Sequence, residues 1–199
     1  GILSGKKRGK SEEKDGTLIE FLPDPELFGE YRFEESYLEK RLWRYVYLNA
    51  GLKIYYNKNL FHSTEGLYDL LSTELDDDNL YEPIYYKDQT LEFAFSHTDS
   101  YGDSYYSFVN GTFTSEGGTH LSAFREGILK GINEFSPKKF INKDVRDGIV
   151  GTLAVKIKEP VFESQTKNKL GNTEVRSWIV NQVKDAVSSE LYKNSERAE

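Results

Sequence analysis

Apolar residues in this chain recur with two different periods, and the order in which those periods alternate limits the fold more than any other feature. Near the end, Val175, Ile179, Val183, Val187 and Leu191 return every four residues, the spacing that lines one face of a helix. Helical spacing also runs through Leu38, Leu42, Tyr45, Val46 and Leu48, where Gly51 offers a left-handed stop. A third such run, Leu121, Phe124, Ile128, Ile132 and Phe135, follows Gly117-Gly118-Thr119 and closes at Pro137. A shorter helix is predicted over 64–75 on Leu67, Leu70 and Leu71, ahead of the acidic break at 76–78. Elsewhere the period drops to two, in Leu52, Ile54 and Tyr56, in Leu91, Phe93 and Phe95, and in Leu153, Val155 and Ile157 of a strand over 149–158. Residues 104–109, rich in Tyr, Phe and Val, are predicted to pair antiparallel with 91–96 around a turn at 97–103. These elements give an α+β fold, a mixed β-sheet layered by helices. It ends in a long helix from 173 to about 193, capped by Asn172 or Thr173.

A chain of 199 residues holds one domain, or one domain and a piece of a neighbour. The first sixteen residues are polar and basic, a solvated loop, and 16–21 then reads as a strand stopped by Pro23-Asp24-Pro25. A boundary is expected there. The chain opens on Gly and contains no Met, so an excised piece is expected. No apolar run approaches the roughly 20 residues of a membrane span and no signal peptide is visible, so a cytoplasmic protein with no membrane partner is expected. Without cysteine there is no disulfide, thiolate zinc site or cysteine nucleophile, and His62, His97 and His120 are too scattered to suggest a metal site. The net charge of -7 would repel a polyanion, so any DNA contact must be local.

Most candidate sites have a plain structural explanation. Gly117-Gly118-Thr119-His120 could hold an anion on exposed amides, although such glycines more often permit a tight turn with Thr119 as helix cap. His120 is more readily a packed or capping residue than a catalyst, because no partner can be named. The tyrosines of 104–109 could stack bases, but no basic residues accompany them between Leu91 and Gly118. The polar loop over 163–172 differs: it lies between a buried strand and a long helix and carries Gln165, Lys167 and Lys169. A lysine ammonium is a compact charge with three donors, suited to a terminal phosphate, and a solvated loop is the alternative. Lys138, Lys139 and Lys143, with Arg146 close behind, form the local basic cluster.

Gln165-Thr166-Lys167 resembles the Gln-Thr-Lys loop of bacterial type IIA DNA topoisomerase B subunits, those of gyrase and topoisomerase IV. Four further segments resemble that family in the same order: 21–28 (Phe-Leu-Pro-Asp-Pro-Glu-Leu-Phe), 47–52 (Tyr-Leu-Asn-Ala-Gly-Leu), Gly117-Gly118-Thr119-His120, and 144–148 (Asp-Val-Arg-Asp-Gly). The resemblance implies a transducer domain over 25–199 with a left-handed βαβ crossover, an exception to the usual right-handed rule. Residues 1–24 would be the last strand and linker of a missing ATP-binding domain of the gyrase, Hsp90, histidine kinase and MutL class. That strand, deprived of its sheet, is expected to be disordered, folded back or paired with another molecule.

The resemblance further implies that Gln165 and Lys167 reach the γ-phosphate of ATP in the neighbouring domain, while Thr166 keeps the loop's shape. ATP and magnesium would serve the full-length protein. None is expected bound to this piece, which lacks the catalytic Glu, the magnesium-binding Asn and the lid, and is expected to be inactive alone. Implied partners are the ATP-binding and metal-binding cleavage domains of the same subunit, the topoisomerase A subunit, a second B subunit and duplex DNA. Lys138, Lys139 and Lys143 are the DNA-facing candidates. Residues 105–111 lean toward topoisomerase IV over gyrase. The competing function is a stand-alone nucleic-acid-binding module of related βαβ fold, which would need a basic sheet face; a dimerisation module would need a spare apolar patch.

Overall fold

The computed structural model describes residue 9 and residues 15–194. Two compact units divide between Glu35 and Ser36. In the first, Asp24 caps a single helical turn, α1 (Pro25–Phe28), accepting from the Glu26 amide at 2.9 Å, with Pro25 at the position where a missing N–H costs nothing. Edge-to-face rings of Phe28, Tyr31 and Phe33 follow it. Residues 16–21, expected as a strand, form none. A strand exists only through its ladder, and no described residue pairs with this segment, so Leu18 and Leu22 stand 90% and 94% exposed.

The second unit opens within the first turn of α2 (Glu35–Leu48) and continues through a hairpin of β1 (Lys53–Tyr56) and β2 (Asn59–His62), and α3 (Leu67–Leu75). Then come β3 (Ile84–Lys87), β4 (Leu91–His97), β5 (Ser104–Val109), β6 (Thr112–Phe113), α4 (Thr119–Phe135), α5 (Asn142–Arg146), β7 (Ile149–Val155) and α6 (Arg176–Lys193). The mixed sheet runs β3-β4-β7-β5-β6. β4 and β5 are therefore not the antiparallel pair expected from sequence. β7 lies between them, antiparallel to β4 and parallel to β5. The reason is burial: β7 is almost wholly apolar and buried on both faces, which suits the centre of a sheet, and 98–103 becomes a loop that steps across it. The path from β5 to β7 through β6, α4 and α5 is a βαβ crossover between neighbouring parallel strands.

Pleating divides the core into two layers. Phe93, Phe95, Ile149, Leu153 and Val155 point to α4 and α6. Ala94, Phe108 and Ala154 point to the α2 and α3 side. α4 and α6 touch at unusually short range, because a Cβ on Gly127 would fall 2.6 Å from that of Val183, and one on Gly131 2.8 Å from that of Val187. Two expected caps move. Gly118, not Thr119, is the residue before α4, and α6 starts at Arg176, with Val175 before it. Asn172 is committed elsewhere: its side chain accepts from the Val161 amide at 2.6 Å and donates to the Glu159 carbonyl at 3.1 Å. No helix among the described residues is long and apolar enough to cross a membrane.

Candidate functional site

The polar loop after β7 is closed at its base by strand-like pairing of Phe162 with Leu170, and the Glu163 amide donates to the Lys169 carbonyl at 3.0 Å. At its tip the Lys167 amide donates to the Ser164 carbonyl at 3.1 Å, and Lys167 adopts φ 57°, the left-handed bend that turns the chain back. The Ser164 and Thr166 hydroxyls bond each other at 2.6 Å, so Thr166 does brace the turn. Lys169 is tied to Glu163 at 3.0 Å. Gln165 and Lys167 are exposed, and neither side chain has a partner among the described residues. A cation and an amide held at the apex of a fixed turn, both unspent, suit an anion arriving from outside.

The glycines before α4 hold this loop. The Leu170 amide donates to Gly117 and the Thr119 amide donates to Leu170, each at 3.0 Å, while the Glu116 amide donates to Asn168. A Cβ on Gly118 would lie 2.3 Å from the Leu170 oxygen and 2.4 Å from its nitrogen, so only glycine permits the contact. The Thr119 amide is thus spent on the loop. Beneath the clamp His120 is fully buried, with Nε2 facing the Thr114 hydroxyl at 3.0 Å. Thr114 in turn donates to the Ser107 carbonyl of β5, so Nε2 carries the proton. Burial pushes the imidazole down to about 4, and His120 is a neutral brace.

The basic residues beyond Pro137 are less free than their sequence suggests. Lys139 donates its ammonium to the Asn133 carbonyl, and the Lys138 ammonium sits 5.5 Å from the Phe140 ring. Arg146 is paired with Asp103 at 2.8 Å, and Asp103 also takes Arg125 at 3.2 Å. Lys143 is exposed on α5. In that same segment Gly148 passes so close to Thr98 that a Cβ would lie 2.2 Å from its carbonyl. His97 donates from Nε2 to the Val145 carbonyl at 2.8 Å and accepts from Tyr81 at 2.5 Å; burial lowers its pKa. Of the 104–109 tyrosines, Tyr105 is covered by Arg125 at 4.3 Å, and Tyr106 donates to Glu74. Both tyrosines of 104–109 are thus engaged, and neither is a free ring for stacking bases.

A family model described as DNA gyrase B matches residues 54–199. The chain is 51% identical over 195 residues to the B subunit of DNA topoisomerase 4 from Borreliella burgdorferi, covering 98% of this chain and 33% of that protein. It is 35% identical over 210 residues to the DNA gyrase B subunit of Clostridium acetobutylicum, covering 94% and 33%. It spans about a third of the length of these curated relatives. Among solved structures it is similar to the 43K ATPase domain of Thermus thermophilus gyrase B in complex with an aminocoumarin, with a TM-score of 0.75 and 28% identity over 88% of this chain and 53% of that one. A topoisomerase IV ATP-binding domain from Francisella tularensis, in complex with an inhibitor, gives a TM-score of 0.73 and 26% identity over the same shares. This chain belongs to the DNA gyrase B family, the B subunits of type IIA DNA topoisomerases.

Proposed function

We propose that residues 25–199 are the transducer domain of an ATP-dependent type IIA topoisomerase, and that residues 1–24 belong to its ATP-binding domain. In this reading Gln165 and Lys167 meet the γ-phosphate of ATP, bound with magnesium in that neighbouring domain, and the loop carries nucleotide state into the body of the domain. The supporting observation is the loop itself: an unpartnered amide and ammonium at the apex of a turn whose base is bonded into the start of α4. A contact present with ATP and absent after phosphate release gives a two-state signal. The higher identity to the topoisomerase IV subunit favours topoisomerase IV over gyrase.

In the full-length subunit, Lys167→Ala should lower ATP turnover on the order of 10²-fold, since the lost charge faces the group whose charge develops during cleavage. Turnover at the wild-type rate would remove the role. We assign Lys138, Lys139 and Lys143 to weak, local contact with the transported duplex in the complete dimer. Replacing all three with Ala should reduce DNA-stimulated turnover more than basal turnover, and an equal loss in both would make them structural.

A further inference from the structure

We propose a second anion site in this domain: the concavity between α2, the β5–β6 turn and the Gln-Thr-Lys loop binds inorganic phosphate through Lys40, Arg41 and Arg44. Its volume is about 450 Å³, and Tyr37, Phe113 and Thr166 also contribute to its wall. The chain as a whole has 33 acidic and 26 basic side chains, so a cation here has acids in excess to pair with. These three have taken none. No carboxylate lines the concavity, and none of the three has an ion pair among the described residues. Like charges gathered on one concave wall repel each other, and an anion relieves that repulsion.

The geometry favours a small oxyanion. Arg44 is half-buried, with its guanidinium carbon 4.1 Å from the centre of the Phe113 ring. The ring covers its face and leaves the in-plane N–H donors, the ones that fork onto phosphate oxygens, directed elsewhere. Lys40 lies one helical turn before Arg44 on the same face of α2, and Arg41 sits beside it. Lys40 and Arg44 thus face one concavity, with Arg41 beside the Tyr37 and Tyr45 hydroxyls at its edge, whereas a duplex calls for cations spread along a track. Thr166, next to Gln165 and Lys167, lines the same space. The site is therefore placed to receive phosphate after cleavage; this source rests on the function proposed above, while the site itself does not.

Equilibrium dialysis of the 199-residue chain against radiolabelled inorganic phosphate, at constant ionic strength, tests the site without ATP. One equivalent should bind with a Kd of about 1 mM, and the Lys40→Gln/Arg44→Gln double variant should bind at least roughly tenfold more weakly, because two charged hydrogen-bond donors are lost. Glutamine is shorter but keeps a polar side chain with an N–H2 donor while removing the charge, and Lys40→Gln alone, on an exposed side chain, serves if the double variant fails to fold. Lys167→Ala, whose side chain does not line the concavity, should weaken phosphate binding far less than the double variant does, so the failure of this site and of the sensing role are read separately. The proposal is overturned if phosphate does not saturate the chain or if the variants bind as the parent does. It is also overturned if a short DNA duplex displaces the label more effectively than unlabelled phosphate, which would make the concavity a nucleic-acid surface.

Discussion

Gly118→Ala should be among the most damaging single-methyl changes in the domain, and its cost can be worked from the contact it would make. The residue sits at φ 126° and ψ -158°, a region essentially reserved for glycine, and forcing alanine there costs about 1–3 kcal/mol. The added Cβ would also lie 2.3 and 2.4 Å from the Leu170 backbone, and a backbone cannot swing aside as a side-chain tip does. The loop must retreat, giving up the Leu170-to-Gly117 and Thr119-to-Leu170 hydrogen bonds at about 1 kcal/mol each. The total is about 3–5 kcal/mol, or a fall in melting temperature of roughly 10 °C for a chain of this length. Circular dichroism melts of the parent and of Gly118→Ala would measure it, with hydrogen exchange at the Thr119 and Leu170 amides reporting the clamp. Gly171→Ala is the control in the same loop, since its Cβ would meet nothing nearer than 3.5 Å and its φ is not positive. A Gly118→Ala protein melting within about 2 °C of the parent would refute the clamp.

Gly127→Ala in α4 should destabilise by about 1–3 kcal/mol despite alanine's better helix propensity, because the methyl would meet Val183; a rise in melting temperature would show that α4 and α6 part at little cost. Stability should also fall as pH drops from about 6.5 to about 4. His120 titrates near 4 when folded against an ordinary 6.5, so the unfolded chain binds more protons in that window; the term is fully present above about 6.5 and amounts to about 3 kcal/mol. His97, also lowered by burial, acts with the same sign. His120→Gln should flatten the pH dependence of the melting temperature, and an unchanged slope would contradict the buried neutral state.

The long helices were legible because each has one apolar face to hide, and α2, α4 and α6 fall where the four-residue spacing of Leu38, Leu121 and Val175 places them. Pairing between strands was not legible in the same way. Leu91, Phe93 and Phe95 reveal a strand but not its neighbour, and the nearer candidate in sequence lost to β7 because burial, not proximity, chose the centre of the sheet. The short strands β2, β3 and β6 carry too few residues to show a period, although Asn57 at φ 54° marks the turn between β1 and β2. Gln165 and Lys167 stood out in sequence as a polar loop, and their proposed role came from family resemblance. The clamp beneath them was invisible, since Gly118 and Leu170 meet only through folding. The basic cluster after Pro137 was plain in sequence, while Asp103 as the partner of Arg146 was not.

The clamp determines what kind of motion the loop can start. Its base is bonded to residues 116–119 at the head of α4, and the chain leaving it enters α6, whose first residue, Arg176, is tied back to Ser122 and Glu126 of α4. Further along, Gly127 and Gly131 seat Val183 and Val187, and Lys184 pairs with Glu134. α4 cannot slide on the sheet either, because Phe124 is wedged among Phe93, Phe95 and Tyr105, with ring centres 5.3 to 6.3 Å away. A pull on Gln165 and Lys167 therefore has no soft element to spend itself on between the turn and the end of α6. Packed interiors of this kind resist continuous deformation. On the function proposed above, a signal received at the turn would be passed on as rotation of the body, and Gly118 is where that coupling would be cut.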